Sequence, residues 1–387
     1  MAVFLLAITL GNVASAVKLA PFLRKGYQNF IIFYAAAHMV RSGRSHALYD
    51  LLAQYREQQE FAPKVDIRQA ALPYNHPPFE ALLFLPFTFL PYLPAYLFWS
   101  FFNGILLVAS LILLRKQFAE IGSLPLAFVV LAATAFIPVT SGIIQGQDSV
   151  LLLFLFVVAL TAMEKGNDIM AGAALASGLF KFNLVLPLIF LLASKRPRLL
   201  LGFAPVAALL AGISLAMIGW HGSVGYVGLL FHLENSGAGG AIVGADMPNL
   251  RGIIAILTGA HDGTSVMALT IASSCALIAI AWWRIRLLRE SVRFDFAVAS
   301  ATAILVSYHT LTYDLSLLLP IVLLLFAAPE SEARRQSRGD TILLVLLYLA
   351  LLLELVWPHV NQFCWPPLMT VWIFLKLGRP NSAKAVA

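Results

Sequence analysis

The sequence predicts an all-α polytopic membrane protein, and three observations carry that expectation. Of 387 residues, 60% are hydrophobic and only 12% are charged. Apolar runs of roughly 15 to 23 residues recur along the chain, about what one helix needs to cross a bilayer core. The runs are continuous, not alternating, so helices must satisfy the backbone in lipid. The length accommodates about ten to thirteen transmembrane helices in one bundle. We read residues 1–387 as a single integral membrane domain with no soluble module.

Orientation follows from the charges. Basic residues cluster at Arg115-Lys116, Lys165, Lys195-Arg196-Arg198, Arg284 to Arg293, Arg334-Arg335-Arg338, and Lys376 with Arg379. Placed in the cytoplasm, these clusters leave 141–148, 220–263, 308–313 and 358–366 as external tips. His221, His232, His261, His309 and His359 fall in the tips, where Arg251 is the lone basic exception. The expected location is a plasma (inner) membrane, with the chemistry at the external, periplasmic face. The formal charge of +7 gives no reason to expect a nucleic-acid partner, because the basic residues sit where orientation signals sit. Cys275 and Cys364 lie far apart in apolar stretches, and neither a disulfide nor a metal spacing is expected.

The elements can then be justified in order. A first helix, retained rather than cleaved, runs to about Leu23. A long external loop follows, from about Lys18 to Phe79, with eight Lys/Arg. A loop that long crosses regardless of its charge. Within it, 30–41 reads as a helix. In 47–61, Leu48, Leu51, Leu52 and Tyr55 share one face, which suits a helix lying in the interface. Pro77 and Pro78 hold the chain extended before the next entry. A short broken helix is expected at 79–90 and a full span at 95–114. Residues 169–194 leave and return to the cytoplasm as two helices of about 18 Å each, too short to cross. This hairpin stops inside the membrane or the bilayer thins around it. A second external loop spans 220–263 and is rich in glycine at 237–240.

Five polar constellations stand out, four at external positions and one at membrane depth; the external loop 220–248, with His232, Glu234 and Asp246, reads as a flexible lid or as a surface loop with no role. Tyr74-Asn75-His76 abuts a membrane entry beside Glu80. Gln145-Gly146-Gln147-Asp148 occupies a tip; Asp148 reads equally as a helix cap, whereas the paired amides suit sugar hydroxyls, which they can both donate to and accept from. Lys181 is an ionisable group at membrane depth, a candidate phosphate contact or a snorkelling side chain. Ser307 to Asp314 packs His309, Tyr313 and Asp314 into a tight turn, where Asp314 also reads as a cap. The chain carries no P-loop, zinc signature or nucleophile elbow, so no metal and no cofactor are expected.

In order, Asn29-Phe30 with Phe33-Tyr34-Ala35-Ala36, Gly43 with Leu48-Tyr49-Asp50, Tyr74 to Phe79, Gly146-Gln147-Asp148, Lys181 with Pro187, and His309 with Tyr313-Asp314 resemble glycosyltransferase family 87, the DUF2029 proteins of the GT-C superfamily. The resemblance covers about 25 to 375. It implies a GT-C type bundle with the active site under the first external loop. It implies an inverting transferase that takes a sugar, commonly mannose, from a polyprenyl-phosphate donor. The implied partners are membrane lipid, the lipid-linked sugar and a lipid or glycan acceptor. Site residues carried by the resemblance are Asn29, Asp50 and His309 for catalysis, and Tyr74, Asn75, His76, Gln147, Asp148, Lys181, Tyr313 and Asp314 for binding. One departure matters: the family pattern has an Asp, the presumed base, where this chain has Asn29. An amide cannot take a hydroxyl's proton at neutral pH. Asp50, Asp66, Glu80 and Asp148 are other available acids. A non-catalytic binder of lipid-linked sugar and a lipid or solute transporter are the alternative readings.

Overall fold

The computed structural model describes residues 1–63, 65, 71–235, 244–259, 263–287, 291–327, 345–346 and 348–349, and among them every regular element is helical. Asp66, 237–240, His261, Arg334-Arg335-Arg338 and everything from 350 onward, including His359, Cys364, Lys376 and Arg379, lie outside the described residues.

Helix α1 (Ala2–Lys25) leads into α2 (Phe30–Arg41), and α3 (Leu51–Phe61) follows in the first long loop. The Asp50 carboxylate starts α3 by accepting from the Leu52 and Ala53 amides at 2.8 and 3.1 Å. The expected broken helix is α4 (Glu80–Phe84), continued as a 3-10 turn over Leu85–Phe89. The expected full span is α5 (Tyr92–Gln117). A short α6 (Ala119–Ser123) precedes α7 (Leu126–Ala135) and α8 (Ile137–Gln145), which meet at a 65° bend. Then come α9 (Ser149–Glu164), α10 (Asp168–Ser177) and α11 (Phe182–Ala193). The long α12 (Leu199–Asn235) breaks its helical backbone at Gly219. It is followed by α13 (Leu250–Thr258), α14 (Thr264–Leu287), α15 (Val292–Val306) and α16 (Leu319–Phe326).

Four stretches are long and apolar enough to cross a bilayer: Ala2–Arg41, Tyr92–Gln117, Leu199–Leu233 and Thr264–Leu287. The bent pairs α7/α8 and α10/α11 raise the number to six if each is one span. The count falls below ten because other apolar runs are cut into short helices, such as α9, and because the C-terminal runs lie outside the described residues. The protein is thus a polytopic membrane protein whose bundle mixes long spans with short, buried helices.

The α10/α11 hairpin behaves as its length dictates. Arg196 pairs with Asp168 at 2.9 Å and so ties the two ends of the hairpin together. The hairpin therefore returns to the end it left. Helix α10 crosses α12 closely enough that a Cβ on Gly172 would sit 1.9 Å from the Leu199 carbonyl oxygen, and one on Gly202 the same distance from that of Ile169. Only glycine permits that backbone approach.

The two ends of the bundle differ in charge. At one end Lys195 pairs with Asp295 at 2.7 Å, and Arg293 pairs with Glu120 at 2.8 Å and Glu164 at 3.4 Å. Helices α9, α11 and α15 each run between that basic end and Ser149, Lys181 and Ser307 respectively. With its 16 residues, α9 separates the ends by roughly 24 Å at about 1.5 Å per residue. The apolar core fills this length, with Phe136, Phe156, Phe294 and Leu188 fully buried.

Candidate functional site

At the end opposite the basic cluster, four pieces of chain bring ionisable side chains together. An aromatic floor supports them: Phe33 stacks on Phe84 at 4.6 Å, Phe84 meets Trp99 at 4.6 Å, and Phe33 lies edge-on to His76 at 5.1 Å. The Trp99 indole donates to the Gly146 carbonyl at 3.0 Å. Gly146 ends α8 at φ 65°, and a Cβ there would meet the Phe30 Cβ at 2.7 Å, so both backbone sign and space require glycine. That turn delivers Gln147 and Asp148 to the site.

Asp148 is fully buried and makes no side-chain cap of α9. Its Oδ1 lies 3.0 Å from the Lys181 ammonium instead. Lys181 is buried as well, so the snorkelling reading falls; it donates to Asp314 Oδ1 at 2.6 Å and stands 4.9 Å above the Tyr313 ring. Asp314 serves as cap and counter-ion at once: Ser149 Oγ reaches Oδ1 at 3.0 Å, and the Leu311 amide donates to Oδ2 at 3.0 Å. On the other side of Asp148, His76 Nδ1 lies 2.8 Å from Glu80 Oε2 and 3.7 Å from Asp148 Oδ2. The His76–Glu80 pair is close without being aligned as a hydrogen bond, and neither Glu80 oxygen has an aligned donor.

The electrostatics follow from this packing. Burial pushes the Glu80 carboxyl up, to about 8, with Asp148 adding to the rise and His76 opposing it. Burial would lower the His76 imidazole, but the Glu80 and Asp148 carboxylates outweigh it and hold the group above its ordinary value. For Asp148, burial opposes ionisation, but Lys181 and His76 prevail and hold it below the ordinary carboxylate range. His309 goes the other way. Burial pulls it down to about 4, Lys181, His76 and Arg251 add to the fall, and Asp314 resists. It is therefore a neutral imidazole at physiological pH, and its Nδ1 has no partner.

Two adjoining cavities open on these groups. The larger, about 240 Å³, is lined by Asn29, Asn75, His76, Gln147, Asp246, His309 and Tyr313, with apolar walls from Ile32, Leu72, Leu233 and Met247. The smaller, about 30 Å³, is lined by Asn75, His76, Lys181, Asn183, Tyr308, His309, Tyr313 and Asp314. Four side chains border both: Asn75, His76, His309 and Tyr313.

Most residues singled out in the sequence meet here. Asn29 lines the larger cavity and donates to Gln145 Oε1 at 2.8 Å. Asn75, His76, Gln147, Lys181, His309, Tyr313 and Asp314 line one cavity or both, and Asp148 stands directly behind them. Tyr74 is buried beneath, its hydroxyl donating to the Pro77 carbonyl at 2.9 Å. Asp50 is different. It is exposed, spends its carboxylate on the α3 cap and lines neither cavity. Sequence reasoning did not single out Asn183, which donates to the His309 carbonyl at 2.6 Å and Ser307 Oγ at 2.8 Å, nor Asn249, which donates to the Ser307 carbonyl at 2.8 Å. These two amides fix the turn that carries His309. It also did not bring His76, Glu80 and Asp148 together, although their ligand atoms all lie within 4.8 Å of one another. The i,i+4 spacing of His76 and Glu80 was the available signal.

The fold and the site define a polytopic membrane protein with a charged, amide-lined polar centre at one end of its bundle. The sequence profile of glycosyltransferase family 87 matches residues 74–307, more than half the chain, and the protein belongs to that family. It is accordingly a glycosyltransferase. No curated protein and no solved structure matches the chain. The matched segment begins at Tyr74 and ends at Ser307, so Asn29, His309, Tyr313 and Asp314 stand outside it.

Proposed function

We propose that this GT-C type protein moves a hexose, mannose foremost, from a polyprenyl-phosphate donor to a lipid or glycan acceptor at the external face, with inversion at the anomeric carbon. The observation that carries the reading is the convergence of amides, imidazoles and the Lys181 ammonium on two adjoining cavities. An acceptor hydroxyl attacks the anomeric carbon from one side, and the C–O bond to polyprenyl phosphate breaks on the other. Asn29, Asn75 and Gln147 offer amides that donate and accept at once, as sugar hydroxyls require. The leaving phosphate gathers negative charge, which preorganised donors stabilise. Neutral His309 supplies an N–H without a charge of its own, and Lys181 has an N–H left after its two carboxylates. The donor brings its own leaving group, and the proposal invokes no cofactor. The basic end of the bundle supports a cytoplasmic assignment there, which leaves the site external, in a plasma membrane.

The test is transfer of labelled sugar by the purified full-length protein in lipid nanodiscs. Polyprenyl-phosphate mannose is offered with membrane lipid extract as acceptor, and the glucose and arabinose analogues run beside it. A labelled lipid product supports the reading. Donor binding without product from any of the three returns the protein to a non-catalytic binder, the reading Asn29 favours. A transporter fits less well: transport sites lie near mid-bundle, whereas the ionisable groups here gather at the end of α9, α11 and α15 away from the basic clusters.

A further inference from the structure

The transfer needs a proton acceptor for the attacking hydroxyl, and the amide of Asn29 is not one. Among the described residues, the cavity walls hold four groups able to take a proton: His76, His309, Asp246 and Asp314. Asp314 is occupied, with Lys181 and Ser149 on Oδ1 and the Leu311 amide on Oδ2. Burial opposes protonation of His309, and the Lys181 and Arg251 charges add to it. Asp246 is exposed and borders only the larger cavity. His76 borders both cavities.

We propose that His76 is the general base of this transferase and that Glu80, buried behind it, is its positioning residue, the pair standing in for a carboxylate at position 29. The inference rests on the transferase reading above. Nδ1 faces Glu80 Oε2 at 2.8 Å and is wholly buried. The nitrogen left for the cavities is Nε2. With the proton on Nδ1, the nitrogen on the Glu80 side of the ring, Nε2 presents its lone pair. The acceptor hydroxyl gives its proton to Nε2 as its oxygen bonds to the anomeric carbon. The electron pair of the breaking C–O bond leaves on the polyprenyl phosphate. The imidazolium so formed lies against Glu80 and 3.7 Å from Asp148, and it later returns the proton to solvent.

Charge balance supports the direction of that transfer. Three buried carboxylates, Glu80, Asp148 and Asp314, face one ammonium, Lys181. With one proton on the pair, the Nδ1 proton of a neutral imidazole, the cluster carries two negative charges in excess. A second proton, taken from the hydroxyl, halves that excess, the favoured direction for charge held out of water. Burial and Asp148 raise Glu80, whereas for His76 burial works downward and the Glu80 and Asp148 carboxylates outweigh it. The other titratable groups facing the pair are Asp148, Lys181, His309 and the phenols of Tyr49, Tyr74 and Tyr226.

The experiment compares wild type, His76→Gln and Glu80→Gln in nanodiscs, with polyprenyl-phosphate mannose as donor and kcat/KM followed across pH. General-base catalysis is worth about 10²–10⁴-fold, so His76→Gln should lose that much in kcat with little change in KM. In the wild type, kcat/KM should rise with pH as the His76 imidazolium gives up its proton, with a midpoint above that of an ordinary imidazole because the Glu80 and Asp148 carboxylates outweigh burial. Glu80→Gln should lower the plateau and also move the acid limb to lower pH, because His76 loses the carboxylate that raises it. A fall in activity with an unmoved limb would make Glu80 structural and overturn the pairing. Activity abolished by a chelator, restored by Mn²⁺ and accompanied by one bound ion per chain, would overturn it too, making His76, Glu80 and Asp148 metal ligands.

If wild type transfers no sugar at all, the transferase reading fails and the pair is judged separately. In ¹⁵N-histidine spectra assigned by the His76→Gln variant, a proton on Nδ1 and a midpoint lowered by Glu80→Gln support the pairing. A proton on Nε2, or an unmoved midpoint, overturns it.

Discussion

Replacing Lys181 by Met tests the centre of the site directly. The ammonium lies 3.0 Å from Asp148 Oδ1 and 2.6 Å from Asp314 Oδ1, and all three groups are buried. Breaking a buried pair by removing one partner costs about 3–5 kcal/mol, because the other charge is left uncompensated. Here one substitution strands two carboxylates facing the same vacated space. We therefore expect a loss at the upper end, about 5 kcal/mol, read as a shift in the unfolding midpoint during SDS titration of mixed micelles. Two comparisons calibrate it. Arg293→Met removes a half-exposed pair with Glu120 and should cost about 0–1 kcal/mol. Adding Asp148→Asn to Lys181→Met removes one stranded charge and should recover a large part of the loss, a coupling of roughly 1–3 kcal/mol. A Lys181→Met loss under about 1 kcal/mol, within the range of a surface pair, would refute the reasoning. It would mean that Asp148 and Asp314 are solvated or carry their own proton.

Three more predictions follow from side chains whose surroundings are fixed. Asn29→Asp removes the amide donor to Gln145 and places a carboxylate in the larger cavity. If His76 is the base, this change raises neither wild-type turnover nor that of His76→Gln; restored turnover in the double variant would put the base at position 29. Asp50→Ala should cost about 0.5–2 kcal/mol by loss of the α3 cap, measured in the same SDS titration, with sugar transfer within a few-fold of wild type. Gly172→Ala drives a methyl against the Leu199 carbonyl, which backbone cannot yield cheaply; overpacking of about 1–3 kcal/mol or more is expected, visible as a lowered midpoint.

How much of this was legible beforehand depends on the distance over which each residue acts. Helices at 30–41, 79–90 and 95–114 were readable because hydrophobic runs and prolines act locally, and α2, α4 with its 3-10 continuation and α5 appear there. The pair of short helices within 169–194 was readable from length alone. The number of spans was not, because a short apolar run inside a bundle has the same composition as a spanning one. At the site, each polar motif could be found but its role could not. Asp148 and Asp314 both read as caps. The structure gives the cap to Asp314 and frees Asp148, a distinction made by Lys181, which is 133 residues from Asp314 in the chain. Asp50 read as a candidate for chemistry by its motif, and the structure spends its carboxylate on the α3 N-cap instead.

The site is built at the junction of two kinds of structure, and this explains its form. Helices α9, α11 and α15 are rigid rods tied at their far end by Lys195, Arg196 and Arg293. They bring Asp148, Lys181 and the turn bearing His309 to a fixed depth. The extended segment before α4 is held from the side: Tyr49 donates to the His76 carbonyl at 2.8 Å, Tyr226 to the Asn75 carbonyl at 3.2 Å, and Gln54 accepts from the Tyr74 amide at 2.8 Å. His76 is thus presented by loop backbone, while the charges that tune it come from helix ends. A base on such a segment can adjust toward an incoming hydroxyl over a carboxylate cluster that stays in place. If the transfer runs as proposed, contacts to the acceptor would fall in 71–79 and those to the phosphate in the turns of α11 and α15.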